Sequence, residues 1–83
     1  MNTATMDSID SKLWVMMAEK LGLDESSIHA DSSFADDLGV DSLDVMELFT
    51  EVEKEFSINI PDEDAEKLTT VKALVNYVHV HAI

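Results

Sequence analysis

The 83 residues hold 18 Asp and Glu against five Lys, with no Arg and no Cys, for a formal charge of −13. A chain this short closes around one modest core and encloses no deep substrate chamber, which favours a module that binds or carries over a self-sufficient enzyme. So negative a balance makes nucleic acid and anionic membranes poor partners and basic protein surfaces good ones, while the missing cysteines exclude disulfides, thiolate metal sites and a thiol nucleophile in the polypeptide itself.

Acidity does not mean disorder here, because 46% of the residues are hydrophobic and they recur at regular spacing. Met6, Ile9, Leu13, Met16, Met17 and Leu21 step by threes and fours, which predicts a helix from about Asp7 to Leu21, with Gly22 as its stop. The same stretch carries Asp7, Asp10 and Glu19 among short apolar pieces, so it does not read as a secretory signal. No segment is long enough to span a bilayer, and the expectation is a cytoplasmic protein without membrane insertion, a monomer in which residues 1–83 form one free-standing domain. The initiating Met and the absence of linkers favour that over a module cut from a larger chain.

Residues 23–40 are long for a connection, with Leu23, Ile28, Phe34 and Leu38 as scattered apolar anchors, so this loop is expected to be pinned to a core at points or to be functional. A second helix begins near Ser42: Asp41 can cap its free amides, and Asp44 stands at the reciprocal position of a capping box. Its core stripe is Val45, Leu48, Val52 and Phe56, with Phe49 alongside, and its opposite stripe is Leu43, Met46, Glu47, Thr50 and Lys54. Pro61 suits the first turn of a short helix through about Glu66, and Thr69 or Thr70 can cap a last helix carrying Val71, Leu74, Val75 and Val78. The closing VHVHAI alternates like a strand but has no partner strand, so it is taken as a fraying helix end. The fold class is all-α, a four-helix bundle with three longer helices, a short third helix and a long first loop.

Ser42 is the residue whose setting asks for an explanation. A hydrolase reading, with His29, His79 or His81 as base, lacks a G-x-S-x-G turn and paired glycines for an oxyanion hole. An EF-hand reading fails as well, because a loop counted from Asp31 would place Asp36 where Gly is obligatory and Ser42 where Glu must be. No built metal site is expected, though His79 and His81 could hold a stray transition metal and Asp36, Asp37, Asp41, Asp44 and Glu47 could attract divalent cations loosely.

Between Asp31 and Glu66 the sequence places thirteen acids and a single Lys, Lys54. Most charge runs are solvated faces, but a field of one sign this concentrated also steers a basic partner. Leu43 and Met46 lie off the core stripe among these carboxylates, where they resemble a small apolar contact ringed by charge. At the start of the second helix, free amides and the macrodipole favour an anion, so a phosphate on Ser42 would gain roughly 0.3–1 kcal/mol.

The segment DDLGVDSLDVMELFTEVEKEFSINIPDEDAEKLTTV, residues 36–71, resembles the acyl carrier proteins of dissociated fatty acid synthesis, through D-S-L together with the downstream E-x-x-F, I-P-D-E and A-E-K-x-T-T-V pieces. The resemblance implies a non-catalytic carrier whose Ser42 receives 4′-phosphopantetheine from coenzyme A through a phosphopantetheinyl transferase. The thiol of that arm would hold growing acyl chains as thioesters and present them to acyl synthase and acyltransferase enzymes with basic docking patches. It also implies that Asp41, Leu43, Asp44 and Glu47 are read by those partners; with Met46, Glu53 and Glu66 they form the candidate recognition set. Lys54 stands where many fatty-acid carriers keep acid, and Phe49 is bulkier than the aliphatic residue expected near the acyl pocket. Polyketide, specialised-lipid and D-alanyl carriers share this fold and prosthetic group. The alternative outside the carrier class is an acidic interaction module regulated by phosphorylation of Ser42.

Overall fold

The computed structural model describes the backbone of residues 4–82 and the side chains of residues 9–82. Helix α1 spans Ala4–Leu21, starting ahead of the expected Asp7. Leu13 and Met17 from its apolar stripe are sealed, with Ile9, Met16 and Leu21 packed around them; the side chain of Met6 lies outside the described residues. The helix stops where Gly22 turns to φ +69° and the Leu23 amide bonds back to the Ala18 carbonyl at 2.9 Å, a left-handed ending that glycine adopts without penalty.

The long loop is stitched down at both ends of its run. After a 3-10 turn over Glu25–Ser27, Ile28 and Phe34 plunge into the core, and Leu23 and Leu38 are half-buried, as their spacing suggested. The Trp14 indole donates to the Ile28 carbonyl at 3.1 Å, tying the loop to α1. Its far half crosses the start of α4 (Val71–His81) through an isolated bridge between Ser33 and Thr70. This crossing satisfies the amides that any helix start leaves open. Val71 donates to the Ser32 carbonyl at 3.0 Å, Lys72 to the Ala30 carbonyl at 2.7 Å, and Ala73 to Thr70 Oγ1 at 3.2 Å. Thr70 is therefore the cap that the sequence left open between Thr69 and Thr70.

Helix α2 spans Ser42–Phe56 and follows the expected register: Leu48, Phe49 and Val52 are buried, Val45 and Phe56 half-buried, and Leu43, Met46, Glu47, Thr50 and Lys54 exposed. Leu48 and Val52 meet Leu13 and Met17 of α1 and Leu74 and Val78 of α4 in one core, where each fully buried aliphatic side chain contributes about 1.5–3 kcal/mol. Lys12 pairs with Glu55 at 3.3 Å and Lys20 with Glu51 at 3.9 Å, surface contacts that fasten α1 to the acidic helix only lightly.

Helix α3 is shorter than expected. It covers Asp62–Ala65, with Pro61 at the N-cap rather than inside the first turn and Glu66 as the C-cap. It buries no residue of its own, so it is held by Ile60 before it and Leu68 after it, both buried, and by a hydroxyl from α4: Tyr77 donates to Asp64 Oδ2 at 2.8 Å. The terminal VHVH is helical through His81, and the described residues contain four α-helices and no named strand. His79 Nε2 lies 2.7 Å from Asp10 Oδ1, and His81 Nδ1 lies 2.8 Å from the Tyr77 carbonyl with its ring stacked on the Tyr77 ring at 4.0 Å. Both imidazoles are thus engaged within the fold, and no group of three or more metal-ligating side chains occurs among the described residues.

Candidate functional site at the start of helix α2

Gly39 takes φ +63°, the left-handed turn that delivers Val40, Asp41 and then Ser42 to the head of α2. The segment before it is fixed by its own bonds: Ser33 donates to Asp37 Oδ2 at 2.7 Å, Asp36 donates to Ser33 Oγ at 3.2 Å, and Val40 donates to the Phe34 carbonyl at 2.9 Å. Ser42 consequently sits on a defined turn while its own side chain stays exposed.

The capping box expected here does not form. Asp41 occupies the N-cap with φ −67° and ψ 146°, and its carbonyl accepts from Val45 at 3.1 Å, but its carboxylate makes no capping bond. Asp44 is one methylene shorter than the Glu usual at its position, and no bond from it to the Asp41 amide occurs among the described residues. Two neighbouring carboxylates in water gain little by converging on one helix end, where each repels the other. The result contrasts with α4. There the first three amides are all satisfied, whereas those of Ser42, Leu43 and Asp44 have no hydrogen-bond partner among the described residues. The positive end of α2 is left facing water beside the Ser42 hydroxyl.

Ser42 also stands on the rim of an open cleft of about 750 Å³. One side of it is α2, through Ser42, Val45, Met46 and Phe49; the other is α3 and its exit, through Ala65, Leu68 and Thr69. Phe34 and Val40 enter from the long loop, and Asp36, Asp62 and Glu66 supply charge around an otherwise mainly apolar wall. Phe34 and Phe49 meet edge to face, with centroids 6.3 Å apart and ring planes at 77°, a geometry that adds about 0.5–1.5 kcal/mol to the burial of the rings. The sequence placed Phe49 beside this pocket by resemblance. It gave Phe34 only an anchoring role and did not reveal the wall formed by Ala65, Leu68 and Thr69, because those residues come together only when α3 is folded back.

Of the candidate recognition residues, Asp41, Leu43, Asp44, Met46 and Glu47 share the exposed head and outer face of α2, with Leu43 66% and Met46 58% exposed, and Glu66 joins them across the cleft. Glu53 is different. It is half-buried, and its Oε2 accepts from the Ile60 amide at 2.7 Å while its carbonyl accepts from Ile58 at 3.1 Å. These bonds hold the turn between α2 and α3, where Ser57 takes a left-handed φ of 56° without a glycine's freedom. Glu53 thus holds this turn, apart from the exposed head of α2 where the other α2 candidates lie.

A family model described as the phosphopantetheine attachment site matches residues 11–78, from near the middle of α1 to the last buried residue of α4. The chain belongs to this phosphopantetheine-carrier family. Its all-helical fold is that of the carrier domain, and its work is covalent carriage of 4′-phosphopantetheine rather than catalysis. The exposed hydroxyl and open amides at the head of α2 fit such a group, since a phosphodiester there would meet N–H donors and the helix dipole instead of buried carbon. No helix among the described residues is long and apolar enough to cross a membrane. A carrier of this kind works with the transferase that loads it and with synthases that use its cargo.

Proposed function

We propose that Ser42 is the attachment residue and that the protein is an acyl carrier of the dissociated fatty-acid type. The observation that carries the assignment is the coincidence of three features at one residue: an exposed hydroxyl, unpartnered helix-start amides and the rim of an apolar cleft. In loading, Ser42 Oγ attacks the pantetheine-side phosphorus of coenzyme A, a new P–O bond forms as the pyrophosphate bond breaks, the nucleotide half departs, and the hydroxyl proton passes to a base on the transferase or to water. The chain's own residues would hold the product: Gly39 and the Ser33–Asp37 turn fix where Ser42 stands, and the open amides of Ser42, Leu43 and Asp44 would offer N–H donors to a phosphate there. The bound arm supplies a terminal thiol that holds acyl groups as thioesters.

Asp41, Asp44, Glu47 and Glu66 form the charged part of the docking face, with Leu43 and Met46 as its apolar centre, which suits basic patches on the transferase and on acyl synthases. Tethering raises the local concentration of cargo at such a partner without new contacts. The cleft beside Ser42 favours acyl cargo over a polar aminoacyl group, because its wall is mainly carbon. Incubation with coenzyme A and a phosphopantetheinyl transferase, followed by intact-mass measurement and fragmentation, tests the assignment: the expected result is a single phosphopantetheine adduct on Ser42. No adduct, or an adduct on another residue, would overturn it.

A further inference from the structure

Phe49 is the last residue of α2 to line the cleft on which Ser42 stands, and we infer that its ring, set edge-on against Phe34, limits the length of acyl chain this carrier can shelter. The inference rests on Ser42 as the attachment residue.

The cleft runs along one stripe of α2. Ser42, Met46 and Phe49 line it in order, and seven residues of helix place Phe49 about 10 Å from Ser42 along the axis. The next residue on this stripe is Glu53, whose carboxylate is already bonded to the Ile60 amide at 2.7 Å. A chain pushing past Phe49 would meet that closed polar pair, and breaking it would strand a half-buried acceptor and an amide. The stop itself is rigid. Phe49 is 6% and Phe34 3% exposed, and the Phe34 backbone is held from both sides, its amide donating to the Thr69 carbonyl at 3.0 Å and its carbonyl accepting from Val40 at 2.9 Å.

The mouth is built differently. Met46 is largely exposed, and an unbranched thioether adjusts to what passes beside it. An adaptable entrance with a fixed aromatic floor accepts variety near the thioester and refuses length. The sheltered cargo is therefore a slim acyl chain of short to medium length, and the tail of a longer chain stays outside the fold, where a partner's own tunnel must take it.

The test loads wild type and Phe49→Val with butyryl, decanoyl and palmitoyl arms from the corresponding acyl-coenzyme A, confirms each adduct by intact mass, and measures each melting temperature against the same variant carrying the free-thiol arm. That reference cancels the packing loss of the substitution itself. The wild-type gain should level off by decanoyl, while Phe49→Val should rise by about a further 5 °C at palmitoyl, as expected when additional apolar surface is buried in the folded state alone. Phe49→Leu should shift in the same direction by less and serves if the smaller side chain weakens the fold too far. Equal plateaus in wild type and variant, or a wild-type gain still rising through palmitoyl, would overturn the stop while leaving the attachment site intact. Absence of any adduct on Ser42 would overturn the attachment reading and the stop with it.

Discussion

Tyr77 donates its hydroxyl to Asp64 Oδ2 over 2.8 Å, and the Asn59 carbonyl oxygen lies 3.2 Å from the same hydroxyl. This contact reaches from α4 to a four-residue helix that buries nothing of its own and is far too short to be stable alone. Tyr77 thus helps to hold one wall of the cleft from outside it.

Burial of its ring, the hydrogen bond to Asp64 and the nearby negative charges of Asp64 and Glu53 all push the Tyr77 hydroxyl above its ordinary pKa of 10.0. A folded value above the unfolded one means that this contribution is fully present below about pH 10 and is lost as pH rises through the folded value. Melting temperature should therefore fall above about pH 10 more steeply in wild type than in Tyr77→Phe, which itself should cost about 1 kcal/mol at neutral pH through the lost hydrogen bond. Tyr77 is the chain's single tyrosine, so phenolate absorbance reports its titration directly. Equal alkaline slopes in the two proteins would remove Tyr77 from this account.

Ser42→Ala should block loading completely and leave the melting temperature within about 2 °C of wild type, because the hydroxyl is exposed and bonded to nothing within the described residues. Intact mass after transferase treatment and a thermal melt check both halves. Retained loading, or a large thermal loss, would mean that the hydroxyl has been given the wrong role.

Leu48→Ala should destabilise by about 3 kcal/mol, since the side chain is fully buried among Leu13, Met17 and Leu74 in a domain with little stability to spare. Urea titration gives the number. A loss below about 0.5 kcal/mol would be that of a surface residue and would contradict the packing of α2.

Glu47→Lys should slow the transferase reaction at low ionic strength and much less at high salt, because the lost attraction acts mainly on the association rate. Thermal stability should hold or improve slightly as self-repulsion in a chain of charge −13 is relieved. Rates and melts at two salt concentrations decide the matter: an unchanged low-salt rate would take Glu47 off the docking face.

The helices and their buried faces were legible because packing against a core imposes a period, and Val45, Leu48, Val52 and Phe56 keep it through α2. The anchors Ile28 and Phe34 were legible too, as isolated large apolar side chains in an otherwise polar loop have few other uses. What stayed hidden was partnership across distance. Trp14 with Ile28, Tyr77 with Asp64 and His79 with Asp10 join residues 14, 13 and 69 positions apart, and nothing local to either partner marks them. Local chemistry also misled at three acids. Asp41 and Asp44 have the residue types of a cap but leave the amides open, and Glu53 looks like one more surface carboxylate until the turn after α2 brings the Ile60 amide to it.

The unlike starts of α2 and α4 differ in how quickly their backbone protons should trade with solvent. At α4 the amides of Val71 and Lys72 are tied to carbonyls of the loop and that of Ala73 to Thr70 Oγ1, so their exchange waits on opening of the loop and of the cap. At α2 those of Ser42, Leu43 and Asp44 wait on nothing and should exchange near the rate of free chain. A phosphodiester settling over that turn would slow them, while the start of α4 stayed as it was. Deuterium uptake across one turn would then report whether the carrier is loaded, without any reagent that touches the thiol.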